Sequence, residues 1–173
     1  MHIEKNKVVT LIYELHIDDG DQEKAFFEKV DEKSPLVFLF GSAGFLPEFE
    51  NKLAGKKINN SFEFSIDFEQ AYGDYDEQKV MYLPKSTFIP KGKIKPPAGM
   101  LTVGTLVPMK DKQGRAMRAE ILKVEADRVQ VDFNHKLAGY DLFFKGKIID
   151  LRDATAEEIA HGHVHGAHGH QHD

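Results

Sequence analysis

The residues of this sequence with the most definite chemistry are the histidines close to its C-terminal end. Six of the nine histidines lie in the stretch HGHVHGAHGHQHD, which ends at Asp173. Neutral imidazole is a good ligand for nickel, copper and zinc, and a segment with so little apolar surface should be disordered without a ligand. The pattern therefore predicts a flexible tail that binds Ni or Zn through His161, His163, His165, His168, His170 and His172.

The alternative explanation of this stretch is a purification tag. Its histidines are interrupted by Gly, Val, Ala and Gln, which favours a natural segment. The sequence contains no cysteine, so thiolate ligands and a disulfide framework are both excluded. The predicted metal sites are therefore purely imidazole, and we expect them to be weaker than sites that include thiolates.

Aromatic side chains are the second feature that could do chemistry. They lie near two glycine-containing loops and are Tyr13, Phe26, Phe27, Phe45, Phe49, Tyr72, Phe143 and Phe144. Such rings can line an apolar binding pocket, but buried aromatic rings more often only fill a core. On spacing alone they indicate a small β-rich domain with an aromatic core.

Several familiar classes of active site have no sequence support. There is no G-x-x-x-x-G-K-[ST] loop, no H-E-x-x-H motif, no G-x-S-x-G elbow and no cysteine nucleophile. Hydrolase and kinase functions are therefore unsupported. With 23 Lys and Arg against 28 Asp and Glu, the formal net charge is -5, so we do not expect nucleic acid to be a partner.

Composition and hydropathy indicate a soluble globular protein. Hydrophobic residues make up 41% of the chain and charged residues 29%, as in ordinary folded domains. The apolar run from Val8 to Tyr13 is too short for a signal peptide, and nowhere do about 18 apolar residues follow one another. We therefore expect a cytoplasmic protein that does not enter a membrane.

Strand patterns dominate the first part of the chain. Apolar residues fall on every second position at Val9, Leu11, Tyr13, Leu15 and Ile17, which predicts one face of a half-buried strand that the Asp18-Asp19-Gly20 turn ends. A second strand is predicted at 36–40. A third is predicted from the alternation of Phe62, Phe64, Ile66 and Phe68 with polar residues.

A short helix is predicted between the second and third strands. Phe49 and Leu53 are four residues apart, Pro47 suits a first helical turn, and Gly55 suits the position after a helix end. The aromatic face of the third strand must be covered, and this helix is the nearest element. We therefore expect the helix to pack on it.

The chain changes character after Ala71-Tyr72-Gly73. A polar stretch and repeated prolines and glycines follow, and strand patterns return at 100–109, 116–124 and 128–133, with turns at 111–114 and 125–127. This block predicts a separate small β domain. A last strand is predicted at 142–151, and Thr155 with Glu158 three residues later predicts the capping box of a short helix.

A series of short stretches along the chain occurs in a recognisable order. They are Tyr13 with Asp19-Gly20; Pro35-Leu36 before the Gly41 loop; Phe45-Leu46-Pro47-Glu48-Phe49-Glu50 with Leu53 and Gly55; Ala71-Tyr72-Gly73; Asn134-His135-Lys136-Leu137-Ala138-Gly139; Leu142-Phe143-Phe144; and Arg152-Asp153-Ala154-Thr155 with Glu157-Glu158 before the histidines. In this order the stretches resemble the SlyD branch of the FKBP-type peptidyl-prolyl cis-trans isomerases over nearly the whole chain.

The resemblance implies an α+β fold that is mostly antiparallel β. An FKBP-like half-barrel sheet would wrap on the short helix, with a small β-rich insert-in-flap domain and a disordered histidine-rich tail. The isomerase domain would comprise residues 1–76 and 133–153, separated by an insert with a chaperone role at 77–132. Residues 154–173 would form a short helix and the metal-binding tail.

The resemblance also implies the lining of a proline pocket. The residues at the matching positions are Tyr13, Phe27, Leu36, Phe45, Leu46, Phe49, Tyr72, Leu137 and Phe144, with Glu28 where the family usually has Asp. Phe27 and Glu28 match only if four extra residues, 21–24, belong to the preceding loop. The alternative for Glu28 is a solvated charge on a helix face.

Three positions depart from the family pattern. Glu48 replaces a usual Gly, Asn59-Asn60 replaces a Gly turn, and Lys136 replaces a usual Pro. Asparagine adopts a left-handed turn at modest cost, so the turn at Asn59-Asn60 should survive. Lys136 would alter the rim of the pocket.

The function implied is that of a peptidyl-prolyl cis-trans isomerase and folding chaperone acting on Xaa-Pro bonds of unfolded or partly folded chains. Isomerisation would need no cofactor, and the tail would bind nickel or zinc. The expected partners are proline-containing polypeptides, metal ions and metalloenzyme maturation proteins, and we expect a monomer.

The insert contains apolar residues that are suited to promiscuous binding. They are Phe88, Ile89, Ile94, Met100, Leu101, Leu106, Val107 and Met109. About half of them should be core, since so small a domain has little apolar area to spare.

Two alternatives remain open. The chain could be a metal storage or delivery module whose isomerase domain is secondary, which the histidine tail favours. It could also be a holding chaperone with weak or lost isomerase activity, which the departures at Glu48 and Lys136 and the displaced Glu28 favour.

Overall fold

The computed structural model describes residues 1–18 and 24–165. The chain divides into two compact units, one made of Met1–Gly73 with Gly139–Asp173 and the other of Asp74–Ala138. The predicted turn at Asp19-Gly20 and the predicted ligands His168, His170 and His172 lie outside the described residues.

The regular elements are mostly strands. In chain order these are β1 (Lys7–Asp18), β2 (Ala25–Val30), β3 (Leu36–Leu39), β4 (Ser61–Ile66), β5 (Val80–Pro84), β6 (Leu106–Lys110), β7 (Ala116–Val124), β8 (Arg128–Asp132) and β9 (Asp141–Asp153). The α-helices are α1 (Pro47–Leu53) and α2 (Ala156–His161), and 3₁₀ turns occupy Phe68–Gln70, Glu77–Lys79 and Lys85–Phe88. In the described part of the chain, no helix has the length and apolar character needed to cross a membrane.

A five-stranded antiparallel sheet forms the first unit, in the order β2-β1-β9-β4 with β3 also paired to β1. The predicted alternation of β1 is confirmed, because its alternate residues are buried from Val9 (0% exposed) to Leu15 (2% exposed). The short α1 covers this face with Phe49 and Leu53, which are both 0% exposed. The predicted α+β, mostly antiparallel fold is confirmed.

Gly146 marks a position where neighbouring strands leave no room for a side chain. It lies opposite Tyr13 on β1 and opposite Phe62 on β4. A β-carbon at Gly146 would lie 2.1 Å from the Ile12 carbonyl oxygen and 2.7 Å from the tip of the Phe62 ring. Glycine is therefore required here, and the Phe62 ring covers the backbone of β9.

The predicted capping box of α2 is confirmed. Thr155 Oγ1 accepts a hydrogen bond from the Glu158 N–H at 3.2 Å, and Glu158 Oε2 accepts one from the Thr155 N–H at 2.9 Å. Glu158 is 2% exposed, and its two oxygens also accept hydrogen bonds from the Arg152 guanidinium at 2.9 and 2.8 Å. Chiefly because of Arg152, the pKa of Glu158 is lowered to about 2. The ionised pair ties α2 to β9.

A four-stranded antiparallel sheet forms the second unit, in the order β5-β8-β7-β6. Its core residues are Phe88, Val107, Ala119, Ile121, Val129 and Val131, and Leu83, Met100, Leu101, Met109 and Phe133 pack against them partly buried. The prediction that only some of the apolar residues are core is confirmed, since Phe88 is 4% exposed whereas Ile94 is 88% exposed.

Some strand predictions are wrong in detail. The strand predicted at 100–109 begins only at Leu106, because Gly99 and Gly104, with φ of 78° and 87°, turn the chain before it. The aromatic strand ends at Ile66, because the Phe68 N–H donates to the Asp141 carboxylate at 2.8 Å and a 3₁₀ turn begins there. The sequence pattern also does not predict β2 and β5.

Candidate active site

Aromatic rings gather where α1 meets the first sheet. Their centre is Phe49, which is 0% exposed. The other ring centroids lie 4.8 Å (Phe45), 4.9 Å (Phe144), 5.6 Å (Phe64), 6.2 Å (Phe38) and 6.5 Å (Tyr13) from that of Phe49. Most of these pairs are tilted or edge to face, as aromatic quadrupoles favour. We call these six residues the aromatic wall.

Strand register explains why Tyr13 and Phe144 meet within this wall. Tyr13 lies opposite Gly146, and Phe144 lies two residues earlier on β9, opposite Leu15. Because Gly146 has no side chain, nothing on β9 separates the two rings, which meet edge to face at 5.4 Å. Gly146, which the sheet requires, thus also allows the Tyr13 and Phe144 rings of the wall to meet.

A hydrogen bond joins the aromatic wall to β2. The Tyr13 hydroxyl donates to Glu28 Oε1 at 2.7 Å. Tyr13 is 3% exposed and Glu28 is half-buried, so the bond is partly shielded from water. A hydrogen bond to a charged acceptor contributes more than a neutral one, and this one fixes the orientation of the Tyr13 ring.

A β-bulge creates this contact. Leu15 on β1 pairs with Glu28, but the next residue, His16, pairs with Phe26, so Phe27 is an extra residue in β2. The bulge turns Phe26, which is 62% exposed, to the outer face, where its ring meets His16. Glu28 is thus on a strand beside the aromatic wall, and the alternative of a solvated helix face is wrong.

Tyr72 is close enough to Glu28 to feel its charge. It follows the 3₁₀ turn Phe68–Gln70, which is closed by a hydrogen bond from the Gly73 N–H to the Phe68 carbonyl at 2.8 Å. Burial, and then the charge of Glu28, raise the pKa of Tyr72. Burial and the hydrogen bond to Glu28 also raise the pKa of Tyr13. Both phenols therefore keep their protons at neutral pH.

The loop before α1 brings two more of the predicted residues to this region. Phe45 stacks on Phe38 with centroids 5.3 Å apart, and Leu46 follows it directly before α1. Both are half-buried. Leu36, at the start of β3, is 1% exposed and pairs with Leu11, so it belongs to the core of the sheet.

The predicted residues do not all fall in one unit. Leu137 belongs to the second unit, where it is 7% exposed and its N–H donates to His135 Nδ1 at 3.0 Å. Lys136 beside it is exposed. The first unit contains the others, namely Tyr13, Phe27, Glu28, Leu36, Phe45, Leu46, Phe49, Tyr72 and Phe144.

Two of the departures from the family pattern have local explanations. Asn59 has a φ of 70°, which confirms that asparagine takes the left-handed turn, and its N–H donates to the Ile148 carbonyl at 2.8 Å. Glu48 lies in the first turn of α1, where a negative charge is favourable, and pairs with Lys52 at 3.7 Å.

Sequence reasoning missed two residues of the aromatic wall, Phe38 and Phe64. The alternation of β4 indicated that Phe64 shares a face with Phe62 and Ile66, so a signal existed. Phe38 lies in the short apolar run of β3, and such a run does not show which side chains face a pocket.

Three of the predicted metal ligands come together at the C-terminal end of α2. His161, His163 and His165 each offer a ring nitrogen, and these atoms lie within 4.8 Å of one another on the surface. The His165 N–H donates to Glu158 Oε1 at 3.3 Å, which links the cluster to α2. Imidazole nitrogens at this spacing suit one divalent ion such as Zn or Ni.

Comparison with known proteins shows the family of this chain. The family model for FKBP-type peptidyl-prolyl cis-trans isomerase matches residues 1–94. The isomerase SlyD of Escherichia coli strain K12 is 36% identical over 168 residues, which are 97% of this chain and 80% of the relative. SlyD of Haemophilus influenzae is 35% identical over 97% of this chain and 82% of its own length. SlyD of Vibrio cholerae is 36% identical over 98% of this chain and 78% of its own length. The chain therefore belongs to the FKBP-type peptidyl-prolyl cis-trans isomerases, in their SlyD-like branch.

Proposed function

We propose that this isomerase binds the proline of its substrate against the aromatic wall and rotates the Xaa-Pro bond there. Isomerase activity on proline-containing polypeptides follows from the family. The observation that supports this location of the proline site is the Tyr13–Glu28 hydrogen bond of 2.7 Å, which lies next to the aromatic rings around Phe49. Phe45 and Phe64, the half-buried rings of the wall, offer apolar surface for a pyrrolidine ring next to protonated phenols.

The chemistry requires stabilisation of a twisted amide. Rotation about the peptide bond has a barrier of about 18 to 20 kcal/mol, whereas the two Xaa-Pro isomers differ by only about 0.5 to 1 kcal/mol. Twisting ends the resonance between nitrogen and carbonyl and reduces charge separation in the amide. An apolar site therefore favours the twisted amide over the planar one, provided that its carbonyl finds a hydrogen-bond donor.

We assign that donor to Tyr72. The Tyr13 hydroxyl already donates to Glu28, so its role is to orient Glu28 and the wall. The charge of Glu28, after burial, raises the pKa of Tyr72 and so keeps its proton available. Phe49 and Phe144 would hold the pyrrolidine ring. No covalent bond is made or broken, so no general base is required.

Changing Tyr72 to phenylalanine tests the assignment. We expect kcat/KM for a short Xaa-Pro peptide to fall about tenfold. This corresponds to the loss of about 1.4 kcal/mol of transition-state stabilisation, the contribution expected of one hydrogen bond made in the transition state. The matched control is Tyr75→Phe, which removes a phenol that donates to Asp132 at 2.9 Å in the second unit. An unchanged rate in a folded Tyr72→Phe protein would remove Tyr72 from the site.

We also propose that the insert, residues 77–132, binds unfolded chains. Residues such as Ile121 and Val131 are fully buried in its core. In contrast, Ile94, Val103 and Leu106 are 88%, 65% and 50% exposed. Exposed apolar side chains in a segment rich in prolines and glycines suit adaptable binding of many sequences. This surface supports a chaperone role for the insert.

We further propose that the histidine-rich segment binds nickel or zinc. The cluster of His161, His163 and His165 supports this, since three imidazoles already lie close enough to share an ion. Storage or delivery of metal, with metalloenzyme maturation proteins as recipients, is the second candidate function that this cluster favours.

Histidine variants measured by calorimetry with NiCl2 or ZnCl2 test the metal site. Replacing all six tail histidines by glutamine should abolish binding, and replacing only His161, His163 and His165 should remove the tightest site, because these three are already gathered. Unfolding temperature and peptide isomerisation should not change. Full metal stoichiometry in the sixfold variant would instead assign the ligands to His2, His16 or His135.

A further inference from the structure

Glu50 is a half-buried carboxylate, with one fully buried oxygen, that the proposed mechanism does not use. It follows Phe49 in α1, and its Oε2 accepts a hydrogen bond from the Gly41 N–H at 3.0 Å. Its Oε1 is buried and has no hydrogen-bond partner among the described residues. Burial raises the pKa of Glu50, and the Gly41 N–H opposes that rise. A buried oxygen left unsatisfied costs free energy, so the burial of Oε1 lowers stability.

Gly41, which donates to Glu50, is the first residue of a loop formed by residues 41–46. The backbone of this loop is strained. Gly41 has a φ of 83°, and Ala43 has a φ of 59°, a left-handed conformation that costs a residue with a β-carbon roughly 1 to 2 kcal/mol. Such a conformation persists only where the surroundings hold it. The loop therefore needs contacts from outside itself.

Those contacts come at its two ends. At the start, the Gly41 N–H donates to Glu50, and Ser42 Oγ donates to the Leu39 carbonyl at 2.8 Å. At the end, the Glu50 N–H donates to the Leu46 carbonyl at 3.2 Å. Glu50 thus holds both ends of the loop, with its side chain at one end and its backbone at the other.

We propose that Glu50 is a positioning residue of the isomerase, whose carboxylate fixes the loop so that Phe45 stays packed on the aromatic wall. The Phe45 ring packs on the wall with its centroid 5.3 Å from that of Phe38 and 4.8 Å from that of Phe49. The inference rests on the proposed function, because it needs the wall to be the proline pocket.

The test compares Glu50→Met with Glu50→Gln. Methionine keeps the length and volume of the side chain but cannot accept from Gly41, and it removes the unsatisfied buried oxygen. We expect the unfolding temperature of Glu50→Met to equal or exceed that of the wild type, while kcat/KM for a short Xaa-Pro peptide falls about tenfold, since small misplacements of site groups have effects of this size. Glutamine retains an acceptor oxygen, so Glu50→Gln should keep kcat/KM within about twofold of the wild type.

Amide hydrogen exchange supplies a readout of the loop itself. The Gly41 amide should exchange faster in Glu50→Met but not in Glu50→Gln. Lys52→Ala is the matched control on α1, because its side chain is 44% exposed, and it should leave kcat/KM unchanged. A folded Glu50→Met protein with wild-type kcat/KM, or a Glu50→Gln protein that loses as much as Glu50→Met, would overturn the inference. If Tyr72→Phe lowers activity while Glu50→Met does not, only this inference fails; if neither does, the proposed pocket fails as well.

Discussion

Replacement of Phe144 by alanine is expected to lower kcat/KM for a short Xaa-Pro peptide roughly 30-fold, which corresponds to about 2 kcal/mol of transition-state stabilisation. Phe144 is 4% exposed and its ring contacts those of Tyr13, Phe49 and Phe64 at 5.4, 4.9 and 5.8 Å. Removing it takes away apolar surface for the proline and also frees the neighbouring rings to move. The loss should therefore exceed that of Tyr72→Phe, which removes only a hydroxyl.

The same substitution leaves a cavity in the first unit. A buried Phe→Ala change costs about 3 to 5 kcal/mol in free energy of unfolding, so the rates must be compared at a temperature at which circular dichroism shows both proteins folded. Phe144→Leu, which fills most of the cavity, should recover stability more fully than activity.

The adjacent phenylalanine supplies the matched control. Phe143 is on the same strand but its ring lies on the opposite face, with the Lys24 ammonium 4.8 Å from its centroid. Phe143→Ala should leave kcat/KM close to the wild-type value. If Phe143→Ala and Phe144→Ala lowered the rate equally, the loss would reflect the strand as a whole and not the aromatic wall.

Exchange of the insert, residues 77–132, for a short Gly-Ser turn is expected to separate two activities. Activity on a short peptide should stay within about threefold of the wild type, whereas catalysis of proline-limited refolding of an unfolded protein should fall on the order of 100-fold. Only a long substrate engages two binding surfaces at once, and linked sites raise apparent affinity by factors of this size. The two rates are measured on a chromogenic peptide and by fluorescence during refolding.

The backbone beside the insert permits this exchange. The Asp76 N–H donates to Asn134 Oδ1 at 2.9 Å, and Asn134 Nδ2 donates to the Asp76 carbonyl at 2.9 Å. The residues that flank the excised segment are therefore already adjacent. A short turn can therefore close the gap without straining residues 1–76.

A milder variant keeps the insert folded. Changing the exposed Ile94, Val103 and Leu106 to serine should lower refolding activity while leaving peptide activity unchanged, because none of the three belongs to the core of the second unit. Equal losses on peptide and protein after exchange of the whole insert would mean that the insert supports catalysis itself, and the chaperone proposal would then be wrong.

Signals that are local in sequence predicted much of the fold. Burial alternates along β1 as the residues from Val9 to Leu15 indicated, and α1 begins at Pro47 and buries Phe49 and Leu53. The capping box depends on residues three apart, so Thr155 with Glu158 was sufficient to place α2. In each case the side chains that decide the structure lie within one element.

The proposed site depended more on matched motifs than on physical patterns. Spacing alone could not separate a pocket from a packed core, because Phe49 and Phe144 are both buried and would be so in either case. The order of motifs, from Phe45-Leu46-Pro47 to Leu142-Phe143-Phe144, supplied that distinction. The glutamate after Phe27 matched only through an assumed loop insertion.

The sequence by itself therefore determined the strands and helices whose signals are local, the existence of an aromatic core, and the run of histidines that we propose as metal ligands. Only the tertiary structure decided that Glu28 meets Tyr13 and that Glu50 holds Gly41. The first contact needs a bulge in the pairing of β1 with β2, and the second needs α1 to lie against the loop that precedes it. Register between strands and packing of a helix on its loop depend on residues that are distant in sequence, so no periodicity within a single element could indicate them.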